Sequence, residues 1–271
     1  MWRLSKKLRY HCVILASVYL LIGLNLTISH AAPNETIKPL VLGSIATTTG
    51  NLTGQIIVEA YRRIGIKVQL KNYPAARSLA LATQGKLDGE VIRILDLQKE
   101  HPSLLRVPTS FFSVKAKVFK INKNIRVNKL EDLANYKSGV LHGILYGEKL
   151  TQSYPHIKIQ SVSQLFRMLL TGHQDIDLAI ITELSGSDVL ARQFPNSAIV
   201  MDDVVLTQYP LYHYLHQSNK KLLPIINHSI SEMLNEGEIK KMIDHFLSEL
   251  DKPNPSVFPV IDPAQTIGPN K

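Results

Sequence analysis

Cysteine and tryptophan are nearly absent from this sequence. Its 271 residues include one cysteine, Cys12, and one tryptophan. A single cysteine cannot pair within the chain, so a small domain held together by disulfides is excluded. Hydrophobic residues make up 45% of the chain and charged residues 20%, which excludes a collagen-like, low-complexity or generally disordered chain. This length allows a sizeable core, arranged as one large domain or as two lobes.

The sequence also lacks a dense basic run interleaved with aromatic residues. The formal net charge is +9, but four basic residues, Arg3, Lys6, Lys7 and Arg9, lie within the first ten positions. Without them the balance is +5 and is spread along the chain, so no nucleic-acid partner is expected. A glycine-rich phosphate loop, a nucleophile elbow and a set of convergent metal ligands are missing too. We therefore expect neither a cofactor nor a metal.

Residues 1–31 have the pattern of a secretory signal peptide. The four basic residues precede an apolar stretch over residues 13–28, and Ser29-His30-Ala31 places small residues before a cut after Ala31. The stretch is short and interrupted for a spanning helix of about 20 residues, although an uncleaved anchor is the alternative. Cleavage removes the only cysteine, which suits an oxidising compartment. The pattern predicts a soluble exported protein of the periplasm.

The first part of the mature chain alternates strands and helices. Its periodicity and its glycine and proline stops predict strands over residues 39–45, 66–70 and 87–95, with helices over 52–64 and 74–84. This order favours a mainly parallel sheet with right-handed crossovers.

The alternation restarts after a turn-rich stretch and a long extended run over residues 111–121. The pattern predicts helices over 130–136, 146–153, 162–170 and 183–193, and strands over 139–143, 157–159 and 176–181. A second extended run over residues 209–215 and two amphipathic helices follow. Residues 252–271 contain five prolines and are expected to form a tail that is loose or packed along the surface.

Two α/β units joined by two long extended runs predict a two-lobe fold. The second unit is inserted into the first, with crossing strands near Val118 and Tyr212. Lobe 1 is expected to comprise residues 32–115 and 216–271, and lobe 2 residues 116–215. Two crossings make a hinge and a cleft, and ligands of open α/β sheets lie at the carboxyl ends of strands.

Four motifs, in order, cover nearly all of residues 38–250. They are Arg77-Ser78-Leu79 with Gly85-Lys86-Leu87-Asp88-Gly89-Glu90, Leu130-Glu131-Asp132-Leu133 with Ser138-Gly139-Val140 and His142-Gly143, Asp175-Ile176-Asp177-Leu178-Ala179-Ile180, and Met233-Leu234-Asn235-Glu236-Gly237-Glu238-Ile239. Together they resemble solute-binding family 3, type II periplasmic binding proteins that serve polar amino acid ABC transporters. The resemblance implies an α/β two-lobe fold with a two-strand hinge, and a monomer that passes a small ligand to an inner-membrane ABC permease or a sensor protein.

The sequence departs from that family at one motif. Amino-acid binders of the family carry Thr-x-x-Arg after the third strand, where the arginine clamps the carboxylate of the ligand. Residues 94–100 read Ile-Leu-Asp-Leu-Gln-Lys-Glu here, without threonine or arginine. Arg93 at the strand end is the candidate substitute, because a guanidinium binds a carboxylate in bidentate fashion. The alternative is that Arg93 pairs with Glu90 or with a surface acid.

Lobe 1 offers further candidate ligand-binding residues, each with an ordinary structural alternative. Thr48 lies between a strand and a helix, where hydroxyl and N–H groups hold anions or merely cap the helix. Arg77 near a helix start suits an anion or is a solvated surface residue. Tyr73 could stack on a ligand or pack on the helix, and Phe112 could line the pocket or belong to the core.

Lobe 2 offers five candidates at its strand ends. Gly143 permits close backbone approach after a strand, and His142 and Tyr146 lie beside it. Thr182 and Glu183 end the strand predicted over residues 176–181 at the same cleft edge. Glu183 could pair with a ligand cation, or it is a first-turn glutamate favoured by the helix dipole.

These observations predict an exported solute-binding protein that is not an enzyme. The expected ligand is small and polar, carboxylate-bearing and amino-acid-like. Three alternatives stay open: a ligand-sensing subunit of a membrane sensor, a cyclohexadienyl dehydratase-like enzyme on the same fold with Glu183 as its acid, and an interaction module with a degenerate cleft.

Overall fold

The computed structural model describes residues 38–95 and 97–250. The signal peptide and the proline-rich tail that the sequence predicts lie outside these ranges. Within them, no helix is both long enough and apolar enough to cross a membrane.

Strands and helices alternate through the first part of the chain, as the periodicity predicts. The elements are β1 (Leu40–Ile45), α1 (Thr48–Arg63), β2 (Val68–Tyr73), α2 (Ala75–Thr83), β3 (Gly89–Ile94), α3 (Leu97–Glu100) and β4 (Leu104–Arg106). Helix α1 begins four residues earlier than predicted because the Thr47 hydroxyl caps it, accepting a hydrogen bond from Gly50 N at 3.1 Å. The short elements α3 and β4 lie in the stretch predicted to be turns.

The second part of the chain begins and ends with long strands. Its elements are β5 (Phe112–Lys120), β6 (Ser138–Leu141), α4 (Leu145–Thr151), β7 (His156–Ile159), α5 (Val162–Thr171), β8 (Leu178–Thr182), α6 (Glu183–Gln193) and β9 (Val200–His216). Helices α7 (Leu223–Asn235) and α8 (Glu238–Leu250) follow, and 3₁₀ turns cover Leu130–Asn135, His173–Asp175 and Gln217–Leu222. The helix predicted over residues 130–136 is therefore a 3₁₀ turn.

The nine strands of the described chain form one mixed sheet in the order β2-β1-β3-β9-β5-β8-β6-β7, with β4 also paired to β9. Strands β1, β2 and β3 pair in parallel, as do β6, β7 and β8. Strands β5 and β9 are antiparallel to each other and to their outer neighbours. Each lobe thus has the predicted parallel sheet, and the two antiparallel strands between them join the lobes.

Strand β9 shows how the lobes are connected. Its first part pairs with β5 as far as Val200↔Lys120, while its last part pairs with β3 and β4 through Leu211–His216. The sequence predicts crossing strands near Val118 and Tyr212, and these residues lie in β5 and β9. The two-lobe α/β architecture with a two-strand hinge is therefore confirmed.

Helix packing completes lobe 1. Helix α1 buries Ile56, Ile57, Ala60 and Tyr61 in the main core, and the returning helices α7 and α8 add Ile226, Ile230, Met233, Ile239 and Phe246. The Ser229 hydroxyl of α7 also donates to Ala60 O at 2.8 Å. The last two helices therefore belong to lobe 1, although the inserted lobe separates them from it in sequence.

Candidate functional site

A cavity of about 50 Å³ lies between the lobes at the carboxyl ends of their parallel strands. Both lobes and both crossing strands line it with aliphatic side chains, among them Ile45, Ile92, Val114, Ile144, Ile181 and Leu211. A volume of this size holds roughly three to five water-sized groups. The site therefore suits a small molecule with an apolar body.

Hydroxyl groups from both lobes meet at one side of this cavity. Thr49, in the first turn of α1, places its Oγ1 2.9 Å from Ser185 Oγ and 3.4 Å from Thr182 Oγ1, and its N–H donates to Ser185 Oγ at 3.2 Å. Ser185 lies in the first turn of α6. Two helix N-termini, each with a positive dipole end, thus face each other across three hydroxyls. This arrangement favours an acceptor or an anionic group beside the hydroxyl cluster.

The protein itself uses most of the N–H donors of Arg93. Its Nε donates to Glu90 Oε2 at 3.0 Å, its Nη2 lies 2.9 Å from the same oxygen, and it is almost completely buried. Nη2 also donates to Ala75 O at 2.8 Å, and Nη1 donates across the cleft to Gly143 O at 3.1 Å. Arg93 therefore lines the cavity but joins the lobes through backbone carbonyls.

The carboxylate of Glu90 is the other half of this buried pair. It also accepts a hydrogen bond from Ser78 Oγ at 2.7 Å. Burial raises the pKa of Glu90, while the Arg93 guanidinium and the Ser78 hydroxyl act in the opposite direction. Burial likewise raises the pKa of the Tyr146 phenol, which lines the cavity and bonds to Thr182. The tyrosine therefore acts there as a neutral hydrogen-bonding group.

Gly143 brings the backbone of lobe 2 close to the backbone of lobe 1. Its φ is +78°, and a Cβ built on it would lie 2.2 Å from Ala76 N. Its N–H donates to Glu148 Oε1 at 2.7 Å while its carbonyl accepts from Arg93. Only glycine fits this position in the closed form, because it has neither a Cβ nor a penalty for positive φ.

A buried histidine supports the strand that carries Glu90. His213, on β9, has its Nδ1 2.8 Å from Glu90 O and its Nε2 2.9 Å from Tyr61 Oη. A carbonyl can only accept, so Nδ1 carries the proton and Nε2 accepts from the tyrosine. Burial lowers the pKa of His213 to about 4, so the ring is neutral at pH 7.

We expect acidification to destabilise the protein through His213. Its folded-state pKa of about 4 lies below the ordinary value of 6.5, so between these pH values the unfolded chain binds the proton more readily. The free energy of unfolding should fall by about 2 kcal/mol between pH 7 and pH 5 from this group alone. Urea unfolding at both pH values measures it, and His213→Gln, which does not titrate, should remove that share of the pH dependence. Equal pH dependence in the two proteins would contradict the assignment.

The structure places the ten candidate residues from the sequence in four locations. Arg93, Tyr146 and Thr182 line the cavity. Thr48 and Gly143 lie at its margin and bridge the lobes, since Thr48 Oγ1 donates to Asp188 Oδ2 at 2.5 Å.

Phe112 and Glu183 line a second cavity, which Thr182 also reaches. We call it the outer groove: a space of about 630 Å³ between α6, α8, Leu52 of α1 and residues 112–115 of β5. Glu183 lies 3.6 Å from Lys115 there.

Tyr73, Arg77 and His142 are absent from the linings of both cavities. The Arg77 guanidinium stacks on the Tyr73 ring at 5.3 Å, with Arg77 on the surface of α2. The His142 side chain is 43% exposed and lies 3.5 Å from Glu148. None of these three candidates therefore contacts either cavity.

Sequence reasoning missed Ser185 and Asp188. Both come from α6 and contact Thr48 or Thr49, which lie about 140 positions earlier in the chain. Their only signal in the sequence is a serine in the first turn of a predicted helix after a buried strand. That pattern alone is equally typical of helix capping.

Solved structures share this fold at low sequence identity, whereas no family model and no curated protein matches the chain. An ancestral arginine-binding protein bound to glutamine superposes with a TM-score of 0.65 at 20% identity, covering 77% of this chain and 97% of its own. A histidine kinase sensor domain with similarity to periplasmic binding proteins gives 0.67 at 14% identity, covering 78% and 96%.

A third similar structure is the amino acid ABC transporter substrate-binding protein AbpA from Streptococcus pneumoniae, bound to L-arginine. It gives a TM-score of 0.64 at 16% identity, covering 79% of this chain and 96% of its own. The chain has the two-lobe fold of type II periplasmic binding proteins.

Proposed function

We propose that this chain is a periplasmic solute-binding protein that captures a small ligand between its lobes. The observation that carries the proposal is the interlobe cavity, to which both lobes bring strand ends and helix N-termini. Ligands of α/β sheets bind at such places. The similar solved structures support the proposal because two of them hold amino acids, glutamine in one and L-arginine in the other.

The lining suggests the chemistry of the ligand. Arg93 already uses most of its donors on Glu90, Ala75 and Gly143, so it cannot clamp a carboxylate in bidentate fashion in the closed form. The hydroxyls of Thr49, Thr182 and Ser185 bond one another but keep hydrogen-bonding capacity beyond these contacts, and with the facing helix N-termini they can receive a polar head group. The proposed ligand is therefore a small amino-acid-like carboxylate with a short aliphatic body.

Closure provides the readout of binding. A ligand shifts a hinge equilibrium only by its preference for one form. Contacts already join the lobes from Thr48 to Asp188, from Thr49 to Ser185 and from Arg93 to Gly143, and the ligand adds to them. We propose that an inner-membrane ABC permease recognises the closed form. A sensor partner is the second candidate, favoured by the likeness to the histidine kinase sensor domain.

The proposal includes binding without turnover. A dehydratase on this fold would need an acid in the ligand cavity, and Glu183 lines the outer groove instead, with Lys115 3.6 Å away. Glu90 is the other acid considered as a proton donor, and its carboxylate already binds Arg93 and Ser78. Neither acid is placed to donate a proton to a molecule in the cavity.

We expect L-alanine, L-valine or butyrate to raise the midpoint of thermal unfolding, and L-arginine to have no effect. A ligand at 100 times its Kd adds about 2.7 kcal/mol, which moves the midpoint by a few degrees. Thr49→Val and Ser185→Ala should each weaken binding about tenfold by removing a hydrogen bond. The matched control Thr171→Val, on the outer side of α5, should bind normally.

Three results would count against this proposal. Absence of any shift across amino acids and small carboxylates would remove solute capture. A shift that Thr49→Val and Ser185→Ala leave unchanged would move the ligand away from the hydroxyl cluster. Stabilisation by L-arginine alone would keep solute capture and overturn the small aliphatic ligand.

A further inference from the structure

The interlobe cavity offers a ligand several hydroxyl groups but, among the described residues that line it, no acid. This lining is aliphatic apart from Thr47, Thr49, Arg93, Tyr146, Thr182 and Ser185. The acids on the same helix as Ser185 face another space. Glu183 and Asp188 line the outer groove, where Lys115 and Arg192 lie 3.6 Å and 2.5 Å from their carboxylates.

The only charged side chain of this described lining is a cation that the protein has already neutralised. Arg93 forms a buried ion pair with Glu90, and Glu90 also accepts a hydrogen bond from Ser78. An ammonium group bound in the cavity would therefore have a guanidinium as its charged neighbour and no carboxylate of its own. Burying a charge without a partner is far more costly than burying a hydrogen-bonded or paired one.

The two helix N-termini beside the hydroxyl cluster add to this preference. Thr49 and Ser185 lie in the first turns of α1 and α6. The first turn of α1 contains no acidic residue, and the acid in the first turn of α6, Glu183, lies beside Lys115. The positive end of a helix dipole stabilises an anion and opposes a cation, and hydroxyl groups can donate to a carboxylate. The polar side of the cavity thus suits a carboxylate and opposes an ammonium group.

Backbone carbonyls could also receive an ammonium group, but several in the lining already have donors. Ile94 O accepts from Tyr214 Oη at 2.7 Å, and Leu211 O accepts from Ser110 Oγ at 3.0 Å. Ile144 O accepts from two N–H groups in the first turn of α4. An amino group on the ligand would have to share acceptors that are already in use.

We propose that the interlobe cavity binds a short-chain monocarboxylate that has no amino group. Its carboxylate lies beside the hydroxyls of Thr49 and Ser185, and its alkyl chain packs on aliphatic side chains of both lobes, among them Ile92 and Ile181. A volume of about 50 Å³ leaves room for only a few carbon atoms. This inference rests on the proposed function and narrows its ligand from small carboxylates in general, amino acids included, to those without a positive charge.

Three compounds with the same four-carbon skeleton test this inference by isothermal titration calorimetry with the full mature chain. Butyrate has no substituent beside its carboxylate, L-2-aminobutyrate adds an ammonium group there, and L-2-hydroxybutyrate adds a neutral group of similar size. We expect butyrate to bind, and L-2-hydroxybutyrate to bind within about tenfold of it. L-2-aminobutyrate should bind at least about a hundredfold more weakly than butyrate. The hydroxy acid separates the effect of charge from that of size.

Thr182→Asp supplies the carboxylate that the described lining lacks. Thr182 lines the cavity as the N-cap of α6, and aspartate is at least as favourable as threonine at an N-cap, so the helix should be kept. We expect the ratio of butyrate affinity to L-2-aminobutyrate affinity to fall at least about tenfold, because the new charge repels the ligand carboxylate and attracts the ammonium group. The matched control Thr182→Asn has nearly the same shape without the charge and should keep the ratio of the parent.

Four results would overturn this inference. Equal binding of butyrate and L-2-aminobutyrate, or a preference for the amino acid, would do so and leave solute capture intact. A hydroxy acid that binds as weakly as the amino acid would show that size, and not charge, excludes both. An unchanged ratio in a folded Thr182→Asp protein would place the ligand away from the hydroxyl cluster. Absence of heat with all three compounds would overturn the monocarboxylate ligand alone, because the wider panel of amino acids and carboxylates decides on solute capture.

Discussion

Arg93→Ala is expected to lower the free energy of unfolding by about 3–5 kcal/mol, because it leaves a carboxylate buried without its cation. Glu90 is fully buried and keeps only the Ser78 hydroxyl as a side-chain partner when the guanidinium is removed. The backbone carbonyls of Ala75 and Gly143 lose donors in the same step. Denaturant unfolding of parent and variant measures the loss.

A second substitution separates the lost ion pair from lost packing. Glu90→Gln in the Arg93→Ala background removes the uncompensated charge and should recover part of the stability. Arg62→Ala serves as the control, since that arginine pairs with Glu59 at the surface, where such pairs contribute about 0–1 kcal/mol. An Arg93→Ala protein as stable as the parent would show that Glu90 is not held as a buried carboxylate.

Gly143→Ala should prevent full closure of the lobes and reduce affinity for a cavity ligand at least a hundredfold. The added methyl group would meet the Ala76 backbone at 2.2 Å, and backbone cannot move aside as a flexible side chain can. Opening the cleft also breaks the hydrogen bond from Arg93 to Gly143 O. Small-angle X-ray scattering with and without L-alanine, L-valine and butyrate measures closure, and titration of the same compounds measures affinity.

Gly172→Ala is the matched control for this experiment. Gly172 has a similar φ, +65°, but a Cβ there would meet no atom within 4 Å. Both substitutions carry the backbone strain of positive φ, so both should cost stability. Only Gly143→Ala should change closure and affinity. If the two variants behave alike, the close approach between the lobes does not control binding.

Local patterns in the sequence predict most of the fold. The alternation from Leu40 to Ile94 shows period two in strands and helical spacing between them, with Gly65 and Gly85 at the stops, both at positive φ in the structure. The two long extended runs likewise predict the two crossing strands from local sequence pattern alone. The short elements over residues 97–106 could not be predicted, because each is too short to show a periodic pattern.

The candidate site is less predictable because it is made by distant pairs. Arg93 is correctly expected near the cleft, but its partners Ala75 and Gly143 lie 18 and 50 positions away. Thr49 and Ser185 are separated by 136 positions. No local pattern encodes such contacts, so the sequence could list candidate side chains without stating which ones bind each other and which remain free.

The route of strand β9 imposes an order on the folding of this chain. Lobe 2 is continuous in sequence, so its contacts form within one stretch of chain. Lobe 1 needs pairs such as Gly89↔Leu215 and the packing of α7 and α8 on α1, which close a loop containing the whole of lobe 2. Closing that loop costs less entropy once lobe 2 has folded and shortened it. When the chain is synthesised from its amino end, lobe 1 is therefore completed after lobe 2. The apolar face of α1 stays uncovered until α8, which carries Phe246, packs on it.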